Sequence, residues 1–194
     1  KGIDGLGRAI QEVRRISRDL RPGVLDDLGL GPALQALTDE FSTRINNMTG
    51  KRTGSDEVET AIRTLFTYAA WADKYDGQAH GVPIRGVALA MKEPVGNIAV
   101  LCDDAAPLAG LVAAMAPAIA MGNRVILTAS EPFPLAATDF IQVLETSDVP
   151  AGVVNIITGD GETGAALAAH PGVQKVAFTG STDVGRAIRR ATAG

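Results

Sequence analysis

The 194-residue sequence has a single cysteine, Cys102, and only two histidines, His80 and His170. One cysteine excludes an internal disulfide and fits a reducing compartment, so a cytoplasmic location is expected. The same scarcity leaves no ligand set for a zinc cluster, and no metal site is expected. Aromatic residues make up 4% of the chain. Lysine and arginine, 18 together, are outnumbered by 22 acids, for a net charge of −4. Neither a nucleic acid nor an anionic membrane surface is therefore expected as a partner. No charged start with an apolar core and a small-residue cleavage site marks an export signal. One uncharged stretch, residues 105–123, would span roughly 28 Å as a helix, close to a bilayer core. It contains Pro107 and Pro117, is dominated by alanine and glycine, and is flanked closely by strand-like runs. It reads as a buried helix between two strands.

What is present is globular: 46% of residues are hydrophobic and 21% charged, and the length suits one good-sized domain or one domain with an appendage. The first 45 residues carry seven basic and seven acidic side chains, so the whole net charge falls on the remainder. Ile3, Leu6, Ile10, Val13 and Leu20 form one helical stripe broken at Ser17, a seam suited to a partner helix. Arg21-Pro22-Gly23 ends it, because the residue before a proline avoids helical geometry. A second helix is predicted from Pro32, with Leu34, Leu37, Phe41 and Ile45 inward. Asn46 to Glu57 is polar, holds Gly50 and Gly54, and reads as a linker. Ala61 to Tyr75 is predicted helical with Ile62, Leu65, Phe66, Ala69 and Ala70 inward, stopped by Gly77. Residues 82–91 read as an irregular edge hairpin.

From Val95 the rhythm is regular. Apolar β-branched runs at 95–101, 125–127, 153–157 and 173–178 alternate with helical stretches at 107–121, 135–145, 163–169 and 183–193. That order predicts parallel strands joined by right-handed crossovers, covered by helices on both faces. The fold class is thus α/β, a doubly wound, Rossmann-like parallel sheet with an N-terminal helical extension. The expected organisation is an extension over 1–45, a linker, helix and edge hairpin over 46–94, and a dinucleotide-binding domain over 95–194.

The most informative local motif is Phe178-Thr179-Gly180-Ser181-Thr182-Asp183-Val184-Gly185-Arg186. A strand runs out, a Gly-Ser-Thr turn follows and a helix begins. Gly180 permits the tight turn, and Ser181 with the first helical N–H groups can hold an anion. The spacing is G-x-x-x-x-G rather than G-x-G-x-x-G. On spacing alone, an ordinary strand–turn–helix cap fits as well as a dinucleotide site.

From about Glu57 onward the chain resembles the coenzyme-binding region of the aldehyde dehydrogenase superfamily. The resemblance is carried by Glu93-Pro94-Val95-Gly96, by Met115 to Asn123, by Ser130-Glu131-Pro132, by Val149 to Asn155 and by His170 through Gly185. It implies oxidation of aldehydes with NAD or NADP through a cysteine thiohemiacetal. Gly180 and Ser181 match the family's pyrophosphate-binding turn, Glu131 the acid on the adenosine ribose, and Val184 a residue lining the adenine pocket. Thr128 stands where the family has a ribose-binding lysine, which removes a charged donor worth roughly 1.5–3 kcal/mol. The candidate cofactor set is Gly180, Ser181, Val184, Glu131 and Thr128, with binding of NAD or NADP expected to be weak or vestigial.

The departures extend to chemistry. Asp103-Asp104-Ala105-Ala106-Pro107 replaces the family's Pro-Trp-Asn-Phe/Tyr-Pro, and Ala105 cannot supply the oxyanion donor, whose loss typically costs ~10²–10³ in rate. Asp103 and Asp104 place carboxylates near the path of the phosphates. The positions matching the family's general-base glutamate and nucleophilic cysteine would lie beyond Gly194, so no catalytic residue is assigned among these residues. Cys102 reads as a structural thiol, its pKa raised by acidic neighbours. His170 reads as closing a helix, His80 as a loop residue, Trp71, Tyr68 and Tyr75 as packing, and Arg186 as a helix-end or solvent-facing charge with phosphate binding as a lesser role.

These losses resemble the second, degenerate module of two-module aldehyde dehydrogenases, in which residues 82–94 would match the oligomerisation hairpin. Separately, Glu12 to Leu30, with its Leu-Arg-Pro and Leu-Asp-Asp-Leu-Gly-Leu runs, resembles the dimerisation helix and following box of two-component sensor histidine kinases. A natural fusion, an engineered join and a sequence-assembly error would each give such a junction near residue 45. The expected function is an aldehyde dehydrogenase-like oxidoreductase fragment, inactive alone. It would form homo-oligomers through helix 3–20 or the hairpin. The alternatives are a scaffold or dimerisation protein and a sensor-kinase remnant.

Overall fold

A computed structural model describes residues 29–72, 74, 77–83, 86–102 and 104–192. The stripe from Ile3 to Leu20, Arg21-Pro22-Gly23, Tyr75 and Asp103 lie outside the described residues.

The helix predicted from Pro32 is two helices, α1 (Leu30–Ala36) and α2 (Thr38–Thr49). They break at Leu37, whose N–H reaches back only three residues to Leu34 O at 3.1 Å. The predicted apolar face survives the break. Leu34, Phe41 and Ile45 are 0–1% exposed, and Leu37 packs beside them. Gly50, at φ 68°, closes α2 by donating to Asn46 O at 2.9 Å.

α3 (Gly54–Ala72) starts seven residues before the predicted helix, and the linker expected over 46–57 shrinks to residues 50–53. Its polar composition belongs to helix ends. Asn46 Oδ1 accepts the Gly54 N–H at 2.9 Å, and Asp56 and Glu57 suit the positive end of the α3 dipole. At Gly54 a Cβ would sit 2.3 Å from Ser42 O, so α2 and α3 cross at backbone contact. The buried face of α3 is Val58, Ala61, Leu65 and Ala69. Phe66 and Ala70, expected inward, are exposed. The Phe66 ring instead lies over Gly31, where a Cβ would meet its Cζ at 3.0 Å.

Strands β1 (Gln78–Gly81) and β2 (Val87–Ala90) form a separate antiparallel hairpin. The main sheet contains β3 (Asn97–Leu101), β4 (Arg124–Thr128), β5 (Val154–Ile157) and β6 (Lys175–Phe178), all parallel in the order β5-β4-β3-β6. The connecting helices are α4 (Ala109–Ala120), α5 (Leu135–Glu145) and α6 (Gly161–Ala168), and α7 (Thr182–Ala191) follows β6. Right-handed crossovers moving from β3 to β4 to β5 put α4 and α5 on one face. The return from β5 to β6 puts α6 on the other.

The α4 face holds most of the core. α4 is sandwiched between α3 and strands β3 and β4, which is why residues 105–123 carry no charge. No helix among the described residues is long and apolar enough to cross a membrane. Leu30, Leu34, Phe41 and Ile45 join Leu65, Leu111, Met115 and Phe140 in one buried cluster, so packing runs without interruption through the boundary expected at residue 45. Glu57 ties the layers together: its Oε1 accepts the N–H groups of Leu108 (2.7 Å) and Ala109 (3.2 Å), capping α4 from the first turn of α3. The α6–α7 face is thinner. Gly164 and Ala168 are the buried positions of α6, and α7 has none.

Candidate functional site

Strands β3, β4 and β6 end at the same edge of the sheet. From β3 the chain moves to β4 on one side, while β6 lies on the other, so β3 and β6 flank a switch in winding direction. Open α/β sheets bind ligands at such a point, outside the carboxyl ends of the strands. Here a cleft of about 480 Å³ lies between the strand ends, α6 and α7. All five candidate cofactor residues, Gly180, Ser181, Val184, Glu131 and Thr128, line it.

Each arrives there for a local reason. At Gly180 a Cβ would stand 2.5 Å from Phe178 Cζ, so a side chain there would displace that ring. Ser181 is the N-cap of α7, and its Oγ accepts the Val184 N–H at 3.3 Å. The hydroxyl keeps its own proton to donate, beside the positive end of a ten-residue helix. Val184 begins an apolar stripe continued by Ala187, Ile188 and Ala191, which faces Gly164, Ala165 and Ala168 of α6 across the cleft. Its spacing of three, four and seven is that of one helical face. Glu131 follows β4 in an exposed turn.

Thr128 ends β4 at 6% exposure, and its Oγ1 is buried without a hydrogen-bond partner. A buried hydroxyl left unpaired costs about 1–3 kcal/mol. An orphan at the wall of a cleft is the kind of group a polar ligand would satisfy.

Sequence reasoning missed part of the lining. Asp160 lines the cleft and caps α6, its Oδ1 accepting Glu162 N and Thr163 N at 3.1 Å each. The Thr163 N–H foremost holds its carboxyl below the usual carboxylate range. The D-G-x-T signal was a readable N-cap. Asp104, expected from the sequence near the path of the phosphates, lines the cleft too, hydrogen-bonded to Ser130. No lysine, arginine or histidine is among the described lining residues.

Cys102 follows β3 at the cleft wall, half-buried, its N–H on Thr128 O at 3.2 Å. Burial pushes its thiol up to about 12; the cause is desolvation, not the acidic neighbours expected from sequence. A nucleophile needs the thiolate, and this thiol keeps its proton at neutral pH. Iodoacetamide at pH 8 is therefore expected to label Cys102 in the folded chain at least about a hundredfold more slowly than in the urea-unfolded chain, followed by mass spectrometry. The folded state holds a proton that the unfolded thiol releases near 9.0, so stability should fall as pH rises from about 9 to about 12.

The remaining candidates lie elsewhere. Arg186 pairs with Asp183 at 3.3 Å on the exposed side of α7 and does not line the cleft. His170 follows α6, its Nδ1 accepting the Gly172 N–H at 3.0 Å. His80 is exposed on β1. No group of three or more potential metal ligands gathers among the described residues.

A model of the Aldehyde dehydrogenase family matches residues 8–194, starting well before the junction expected near residue 45. Human "Retinaldehyde dehydrogenase 3" is 39% identical over 136 residues, 70% of this chain and 27% of that protein. "Hydroxyisobutyraldehyde dehydrogenase" of Mycolicibacterium austroafricanum is 41% identical over 136 residues, 69% of this chain and 27% of its own length. The chain thus spans about a quarter of the curated relatives it matches. Among solved structures, PnpE from Pseudomonas sp. WBC-3, in complex with nicotinamide adenine dinucleotide, superimposes with a TM-score of 0.84 at 30% identity. The match covers 89% of this chain and 36% of that one.

Proposed function

Because the chain belongs to the aldehyde dehydrogenase family, we propose that it forms the dinucleotide-binding part of an NAD(P)-linked aldehyde oxidoreductase and holds the cofactor weakly. The observation that carries this reading is the unpaired Thr128 hydroxyl at the wall of a cleft that also gathers Gly180, Ser181, Val184 and Glu131. The residues fit the adenosine diphosphate half of the cofactor. The apolar stripe Val184–Ala191 faces the purine, Thr128 and Glu131 meet the ribose hydroxyls, and Ser181 with the α7 N-terminus meets the diphosphate. When bound, the cofactor supplies a hydride acceptor.

Weak binding follows from charge. Asp104, Glu131 and Asp160 line the cleft with no cation among its described residues, so the diphosphate gains helix-terminus N–H groups but meets like charge. The chain by itself is read as inactive towards aldehydes. Its one cysteine keeps a half-buried, protonated thiol, and Ala105 offers no side-chain donor to an oxyanion.

Thr128→Val tests the reading. It removes the orphan hydroxyl while preserving shape. The variant is expected to gain about 1 kcal/mol of stability in urea melts and to lose about tenfold in NAD affinity by calorimetry. Unchanged affinity would remove Thr128 from the site.

An observation also favours assembly through the hairpin. Leu89 and Met91 are 70% and 69% exposed, with Val95 at 53% close by in sequence. Exposed apolar groups on a two-stranded edge invite pairing with a second copy. Leu89→Asp is expected to shift the mass by light scattering towards the monomer without lowering the melting temperature. The other expected route to pairing, the stripe at 3–20, lies outside the described residues.

A further inference from the structure

Ser130 is 3% exposed and sits one residue before Glu131. Its Oγ donates to Asp104 Oδ1 at 2.7 Å, bridging 26 positions of sequence, and accepts the Phe133 N–H at 3.3 Å. One carboxylate therefore ties the β3–α4 loop to the turn that presents Glu131 to the cleft. We infer that Asp104 is a positioning residue for Glu131 and, through its charge, makes the cleft favour a dinucleotide whose adenosine ribose carries no additional phosphate. The inference rests on the dinucleotide reading above and concerns how that site discriminates.

Two physical effects meet in this one side chain. As an acceptor, Asp104 Oδ1 anchors a buried hydroxyl, which fixes the turn and hence the direction of the Glu131 carboxylate. As a charge, it lines the cleft together with Glu131 and Asp160, with no described lysine, arginine or histidine to offset them. A ribose with free hydroxyls donates hydrogen bonds to such a wall. A ribose phosphate brings a further charge of about −1.5 to −2 and accepts only.

Asp104→Asn and Asp104→Ala separate the two effects. Asparagine keeps an oxygen for Ser130 but drops the charge. Calorimetry of the chain with NAD and NADP should give wild-type binding that favours NAD. Asp104→Asn should raise the affinity for both dinucleotides by removing like charge, that for NADP about tenfold more, so that its preference for NAD shrinks by about tenfold. Asp104→Ala should lose about tenfold in NAD affinity. In that variant alone, amide exchange at Phe133 should accelerate at least about tenfold, a readout independent of ligand. A melting-temperature comparison confirms that both variants are folded. Asp104→Ala with wild-type NAD affinity and Phe133 exchange would overturn the positioning role, and Asp104→Asn with undiminished NAD preference would overturn the charge role. A wild-type chain that binds neither dinucleotide would instead bring down the underlying reading.

Discussion

A chain carrying Phe41→Ala is expected to unfold with about 3–5 kcal/mol less stability. At roughly 2–4 °C per kcal/mol for a domain of this size, its melting temperature should fall by about 10 °C. Phe41 is 1% exposed and belongs to the cluster that contains Leu111, Met115 and Phe140. α2 packs against α3 and α5, and Arg44 reaches Asp139 of α5 at 2.7 Å. Removing the ring therefore opens a void where three elements meet. The decisive feature is cooperativity. If residues 30–49 belong to the same unit as the sheet, circular dichroism should show one transition, shifted as a whole. An appended helical unit would instead melt early and leave the main transition in place.

Gly180→Val is expected to reduce NAD affinity by at least about tenfold while leaving a folded chain. A Cβ at this position stands 2.5 Å from Phe178 Cζ and 3.0 Å from its Cε2, so the ring must move. Phe178 and Gly180 both line the cleft, and a displaced ring takes up space there. The branched side chain also covers the backbone that a diphosphate must approach at the start of α7. Calorimetry with NAD, paired with a melting curve, separates loss of the site from loss of the fold. Undiminished affinity would show that the ligand does not enter beside the Gly180 turn.

The doubly wound sheet was legible because its signals are local and repeated. Each strand is a short β-branched run, and each following helix has its own cap or proline. α5 matches its predicted bounds over Leu135–Glu145, and the other elements from β3 to α7 differ by no more than two residues at either end. The start of α3 was not legible, because Asn46, Gly50 and Gly54 read alike in a loop and at helix ends. Only the packing partner decides: Gly54 is dictated by the Ser42 carbonyl against it, a contact with no local signature. Phe66 misled for the same reason, since its ring covers Gly31 on a neighbouring helix. In the site, the Gly180–Ser181 turn was visible from its strand–turn–helix order. The Asp104–Ser130 and Glu57–Leu108 links were not, being single hydrogen bonds between positions 26 and 51 residues apart. The raised pKa of Cys102 is legible in the sequence but its cause is not, since burial rather than adjacent acid governs it.

The most direct test is a calorimetric titration of the unaltered chain with NAD, repeated in the presence of ADP-ribose. The site described here predicts saturable one-to-one binding with a dissociation constant above about 10 µM, displaced by ADP-ribose because the adenosine diphosphate half carries the contacts. No saturable heat up to roughly 10 mM NAD, or binding that ADP-ribose does not displace, would contradict it.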